Sequence, residues 1–194
     1  MLICAGDTLH PGQPQKMITF TRTSARKGVA KLGDFVIQTP ALVIPTNLYS
    51  IRNLTRDMFE QVLDKERCVL EVYYEDVLEN WSVLKDLPMP FKRFVNLEGY
   101  AIWLALRETK YFANTDDLTF INSDDTVSCV NHGGVCKLPV VMIKEMAGLV
   151  KPEAIIQPVD HFELPGTVKR VNKSAIRSEK YRLLLNDIKT MIPS

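Results

Sequence analysis

The chain is expected to fold as a mixed α/β unit, and three observations carry that expectation. Short apolar runs rich in β-branched residues alternate with stretches of helical periodicity. Strand-and-turn patterns cluster at the beginning of the chain and again in its middle, which predicts a small antiparallel part. About four β/α units can be counted, short of the eight that a closed barrel of roughly 250 residues contains.

Residues 1–16 read as a flexible N-terminal extension. Only Met1–Ala5 is apolar, and the stretch around Pro11–Pro14 is rich in Pro and Gly. The apolar run is too short for a signal peptide or a membrane span. Residues 17–194 are expected to form one domain, with Met17 as the effective start. Ile18, Phe20, Val29 and Leu32 alternate with polar residues, interrupted by the turn-like Ser24–Gly28. Gly33–Asp34 then joins this segment to Phe35–Thr39 as a tight hairpin. Ala41–Ile44, between Pro40 and Pro45, is wholly apolar and predicts a strand buried on both faces.

A helix is expected near Thr55, with Thr55 as its cap and Leu54 stapled onto Phe59. Met58, Phe59, Val62 and Leu63 would form its inward stripe. Cys68–Tyr73 reads as a strand and Asp76–Leu84 as a short helix, followed by a loop at Pro88 and Pro90. Ala101–Arg107 fits a helix or a strand equally well. Leu118–Ile121, Thr126–Val130 and Val135–Leu138 predict an inserted β-meander, because Asn122–Asp125 and Asn131–Gly134 are rich in turn formers. Pro139 suits the first turn of a helix that buries Val140, Ile143, Met146 and Ala147 and ends near Gly148. Ala154–Val159 is a further strand, closed by Asp160. A last helix is expected from about Lys173 to Met191, capped by Asn172 or Ser174.

Net charge is +1, so no global field recruits nucleic acid, and any such binding must come from a local patch. One is present near the end of the chain. Lys169, Arg170, Lys173, Arg177, Lys180, Arg182 and Lys189 stand against Glu179 and Asp187, seven to two, a local excess of +5. Lys173, Arg177 and Lys180 fall three to four apart and so share a helical face, which can bind phosphates or simply be solvated. The four cysteines, Cys4, Cys68, Cys129 and Cys136, contain no CxxC pair, and reduced thiols are expected. Cys129, His132 and Cys136 have metal-like spacing but lack a fourth ligand nearby, so no metal site is expected. His132–Gly133–Gly134 resembles an esterase oxyanion loop, yet no G-x-S-x-G elbow accompanies it, and a hairpin turn is the better reading. The Asp116–Asp117 and Asp124–Asp125 pairs fit turns better than acid–base catalysis.

Several segments taken in order carry a family resemblance. Ser24–Ala25–Arg26–Lys27–Gly28 precedes Gln38–Thr39–Pro40 and the strand through Pro45–Thr46, and Leu54–Thr55 opens a helix. Asp125–Thr126–Val127, Gly134 and Leu138–Pro139 follow, then Pro152 to Asp160, then Ser174-x-x-Arg177–Ser178. Together they resemble the tRNA-guanine transglycosylases over about Met17 to Lys189. Lys169–Arg170–Val171-x-Lys173–Ser174 is most similar to the accessory, non-catalytic subunits of eukaryotic queuine tRNA-ribosyltransferases.

The resemblance implies a partial (β/α)8 TIM-type barrel preceded by a small antiparallel β-sheet, with the β-meander inserted. It implies the N-terminal portion of such a domain, as a truncated isoform or a natural short form. The family exchanges guanine for queuine at the wobble position of tRNAs with GUN anticodons. Here Val95–Asn96–Leu97–Glu98–Gly99–Tyr100 stands where its Asp-Ser-Gly-Gly-Phe-Gln motif is expected, so no catalytic residue is assigned. The family's nucleophile and zinc ligands belong to its later half, so no cofactor is expected in this chain. Asp160 matches a base-reading carboxylate, retained here as a weak or vestigial contact. Lys169, Arg170, Lys173 and Arg177 are the expected RNA contacts. The implied partners are tRNA and the catalytic queuine tRNA-ribosyltransferase subunit, as a heterodimer, with no DNA and no transmembrane segment. The implied location is cytoplasmic, with a peripheral place at the mitochondrial outer membrane as a variant. Two other readings stand beside it: an active base-exchange enzyme of the same family, and a generic α/β interaction domain or degenerate fragment without a tRNA role.

Overall fold

The computed structural model describes residues 19–25, 27–107, 121–160, 167–188 and 191–192. The expected extension over 1–16, the start at Met17, the first meander strand up to Phe120, the pair Asp116–Asp117, and Arg26 and Lys189 lie outside them.

The chain opens on an antiparallel sheet of β1 (Thr19–Arg22), β2 (Gly28–Leu32) and β3 (Phe35–Thr39), in that order. Gly33, at φ 60°, supplies the left-handed residue of the β2–β3 turn, as the hairpin reading requires. A five-stranded parallel sheet follows, ordered β10 (Met191–Ile192), β9 (Ala154–Ile156), β6 (Ala101–Ala105), β5 (Cys68–Tyr73) and β4 (Leu42–Pro45). The third sheet is the antiparallel pair β7 (Thr126–Asn131) and β8 (Gly134–Pro139). The fold is thus mixed α/β, with antiparallel sheets and one parallel sheet. No closed barrel is formed among the described residues.

Alternation along the parallel strands sorts the core into two layers. Leu70, Val72, Ile102, Leu104 and Ile155 point to the helical side, where they meet Tyr74, Ile143, Met146 and Tyr181. Burying each such side chain contributes about 1.5–3 kcal/mol. Val69, Ala101, Trp103 and Ala154 point the other way, onto Leu32 and Ile37 of the antiparallel sheet.

Several expectations need correction. β4 belongs to the parallel sheet but at its edge, so Leu42 is 65% and Val43 43% exposed. Apolar composition alone could not separate a central strand from an edge strand. In α1 (Arg56–Val62) only Phe59 is buried, while Met58 and Val62 face solvent. The Thr55 hydroxyl donates to the Asp57 carboxylate and caps no backbone amide. The helix after β5 is two short ones, α2 (Tyr74–Glu79) and α3 (Trp81–Leu84), followed by α4 (Phe91–Phe94) behind Pro90. Ala101–Ala105 resolves as a strand because its five residues are buried on both faces. Pro139 ends β8, and α5 (Met142–Val150) starts three residues later, although Val140, Ile143 and Met146 are buried as expected. The last helix, α6 (Val168–Leu184), begins before Lys173 and ends before Met191, which is a strand residue. Its cap is Thr167, whose hydroxyl accepts from the Arg170 N–H; Ser174 lies inside the helix and is buried.

Candidate functional site at the carboxyl ends of the parallel strands

Open parallel sheets and (β/α)8 barrels place ligands at the carboxyl ends of their strands. In this chain those ends carry Glu75 and Asp76 after β5, Arg107 after β6, and Gln157 and Asp160 after β9. Each is buried.

β5 runs into α2 without a loop, so Glu75 and Asp76 occupy the helix's first turn, where exposed amides favour acidic residues. Arg107 Nη2 donates to both Asp76 oxygens, at 2.8 and 2.7 Å, and its guanidinium stacks 4.4 Å from the Tyr73 ring centre. Asp76 also accepts from the Leu48 N–H at 3.0 Å, and its carbonyl accepts from the Tyr49 hydroxyl at 2.7 Å. Leu48 and Tyr49 stand at φ 47° and 67°, a left-handed pair without glycine. Such residues cost about 1–3 kcal/mol each unless held, and Asp76 holds both. Burial pushes the Asp76 carboxyl up, against the opposing pull of Arg107 and the Leu48 N–H. Glu75 accepts from the Arg107 N–H at 3.0 Å through one oxygen, while the other is buried without a partner. Burial pushes its carboxyl up to about 8, so Glu75 is largely protonated at neutral pH.

The Asp160 side chain is 0% exposed. One oxygen accepts from Arg177 Nη1 at 2.5 Å and the other from Asn122 Nδ2 at 2.6 Å. Arg170 Nη2 lies 3.8 Å from it. Its backbone is fixed as well: the N–H donates to the Ser178 hydroxyl, and the carbonyl accepts from Ser174. The i, i+3, i+4 spacing of Ser174, Arg177 and Ser178 turns all three towards Asp160 from one face of α6.

This arrangement changes the expected RNA contacts. Lys169 and Lys173 are exposed on α6, and Arg170 is partly exposed beside Asp160. Arg177 is not on the solvent side: it is 5% exposed and committed to Asp160, with Asp124 at 3.6 Å. Lys180, on the same face, pairs with Asp124. The Asp124–Asp125 turn therefore serves to receive α6. Ser123 Oγ donates to Asp125, and the Asp125 carbonyl accepts from the Val140 N–H at 2.8 Å.

Val95–Tyr100 lies before β6, at the amino end of that strand, the wrong end of the sheet for a catalytic motif. The residue at the opposite end is Arg107. The Glu75–Asp76–Arg107 cluster was missed in the sequence, although a charge closing the apolar run Ala101–Arg107 was a usable signal. His132 Nδ1 faces Glu79 Oε2 at 3.0 Å, while the Cys129 and Cys136 sulfurs face each other. Among the described residues no group of three or more His, Cys, Asp or Glu side chains is placed to hold a metal ion. No described helix is long and apolar enough to cross a membrane. Two surface concavities, of about 550 and 300 Å³, flank Asn47–Thr55, and neither is lined by Glu75, Arg107 or Asp160.

No protein-family model matches the chain, and no curated protein matches its sequence.

Proposed function

We propose that the chain is a non-catalytic accessory subunit of a queuine tRNA-ribosyltransferase. In this role it pairs with the catalytic subunit and helps to hold tRNA during exchange of guanine for queuine. The observation that carries the reading is the state of Asp160. A carboxylate that reads a base edge needs a free oxygen facing a cavity. Both oxygens of Asp160 are occupied by Arg177 and Asn122, and its side chain is fully buried. In this reading the family's carboxylate position is kept and its chemistry is turned inward.

The strand order supports the family's partial (β/α)8 architecture. β4, β5, β6, β9 and β10 are neighbours in chain order without reversal, the singly wound sequence of a barrel segment. The antiparallel sheet covers the Val69–Trp103 side, as the family's N-terminal sheet would. In this reading Lys169 and Lys173 contact tRNA phosphates, and the chain binds no cofactor and works in the cytoplasm.

Co-purification with a catalytic queuine tRNA-ribosyltransferase subunit, read by size-exclusion chromatography with light scattering, tests the proposal. A stable one-to-one heterodimer is expected. A folded chain that fails to co-elute refutes the accessory role, and single-turnover base exchange by the chain alone refutes its non-catalytic character.

A further inference from the structure

We propose that Cys129 and Cys136 are a reversible redox pair, a modification site on the β7–β8 hairpin that closes to a disulfide under hydroperoxides. The two residues are direct partners in the antiparallel register, and their Sγ atoms stand 3.2 Å apart. Opposed residues in such ladders have Cα separations of about 4.5–5.5 Å, inside the roughly 4.4–6.8 Å span of disulfides. Bond formation therefore needs only a small side-chain movement.

The two thiols differ in a way that assigns their roles. Cys129 is 2% exposed and packs in the core with Val127 and Leu138, whereas its cross-strand partner Cys136 is half-buried. The hydrogen bond between the two sulfurs lowers the Cys136 thiol below its ordinary value and raises Cys129, which burial raises further. Cys136 is thus the attacking sulfur and Cys129 the resolving one. The Cys136 thiolate attacks one peroxide oxygen, the O–O bond breaks, and the departing hydroxide takes a proton to become water. The Cys129 sulfur, giving up its proton, then attacks the Cys136 sulfenic acid; the S–O bond breaks and the hydroxyl leaves as a second water. Two electrons pass from the thiols to the peroxide. Cys68 is an internal control, being buried, with its thiol pushed up by that burial.

The test uses the full chain carrying Cys4→Ser, reduced, desalted and treated with hydrogen peroxide from stoichiometric to modest excess. Alkylation and peptide mass mapping follow. The expected result is a Cys129–Cys136 link lighter by two hydrogens, reversed by dithiothreitol, with Cys68 still alkylated. Cys129→Ser should trap the Cys136 sulfenic acid as a dimedone adduct, several-fold more abundant than any adduct on Cys68. If that variant unfolds by circular dichroism, Cys129→Ala replaces it, and the mapping with both thiols present stands independently. Oxidation of Cys68 at the same rate, over-oxidation of Cys136 without a link, or links only between molecules would each overturn the proposal.

Discussion

Arg177→Ala is expected to be among the most damaging single substitutions on α6. Arg177 and Asp160 have side chains 6% and 0% exposed, so neither charge can recover hydration while the fold persists. Removing one partner of a buried ion pair costs about 3–5 kcal/mol, chiefly because the other charge is stranded. Asn122 would remain on one Asp160 oxygen, and Arg170, 3.8 Å away, would compensate in part. Against a total stability of about 5–15 kcal/mol, the loss is a large share of the whole. With a urea dependence of about 2 kcal/mol per molar, the unfolding midpoint should fall by roughly 2 M. Equilibrium urea unfolding followed by far-ultraviolet circular dichroism measures this, with Lys173→Ala as an exposed control within about 0.5 kcal/mol of the parent. The double variant Asp160→Leu with Arg177→Met removes both charges and should cost less than Arg177→Ala alone. A single-variant loss below about 1 kcal/mol, or strict additivity in the double variant, would refute a structural ion pair and return Arg177 to the candidate RNA contacts.

Three further outcomes are expected. Glu75 has a folded value raised from 4.5 to about 8, so between those values the folded state holds a proton that the unfolded state has released. Stability should therefore decline as pH rises through that window, by up to about 1.4 kcal/mol per unit. Glu75→Gln should leave a shallower decline, since Asp76 is shifted in the same direction; urea midpoints across the window check this, and an equal slope in the variant refutes it. Lys169→Glu with Lys173→Glu should weaken tRNA binding and reduce the log–log salt slope by about 0.7–0.9 for each phosphate no longer neutralised, while leaving the urea midpoint in place. An unchanged slope in filter binding would remove both lysines from the interface. Tyr181→Phe takes away a hydroxyl donor shared between the Ser123 and Thr126 carbonyls, at 2.6 and 3.0 Å. Unfolding experiments should show a loss of about 1–2 kcal/mol; no loss would mean that water satisfies those carbonyls.

Legibility in the sequence followed the range of the interactions. The β2–β3 hairpin and the β7–β8 turn were readable because turn chemistry is local: Gly33, and the residues between Asn131 and Gly134, declare their conformations within a few positions. Cys68–Tyr73 was readable to its ends because this central parallel strand is apolar at every position but Glu71. The same rule failed at Leu42–Pro45, which is apolar throughout but, among the described strands, has a sheet neighbour on one side alone. Met58 and Val62 misled for a related reason, since helical periodicity cannot tell which apolar residues a short surface helix leaves uncovered. The fate of Arg177 depended on Asp160, 17 residues away, and on a helix start that Thr167 moved towards the N-terminus. Counting charges along α6 treated every lysine and arginine alike, whereas contacts to Asp124 and Asp160 divide them.

That division bears on how the ends of the parallel strands are held together. Asp76 pairs with Arg107 and Asp160 with Arg177, so two carboxylate–guanidinium contacts close the carboxyl ends of β5, β6 and β9. A buried pair of this kind is a poor source of net stability, because desolvation offsets most of the attraction. Its directional hydrogen bonds do fix which elements meet. Arg107 ties the end of β6 to α2, and Asp76 in turn holds the left-handed residues Leu48 and Tyr49 after β4. Arg177 ties α6 to the segment after β9. These contacts hold the strand ends and α6 in one arrangement. The helix that Asp160 anchors carries Lys169 and Lys173 exposed on its surface, so the same contact that fixes α6 also fixes where those two charges stand.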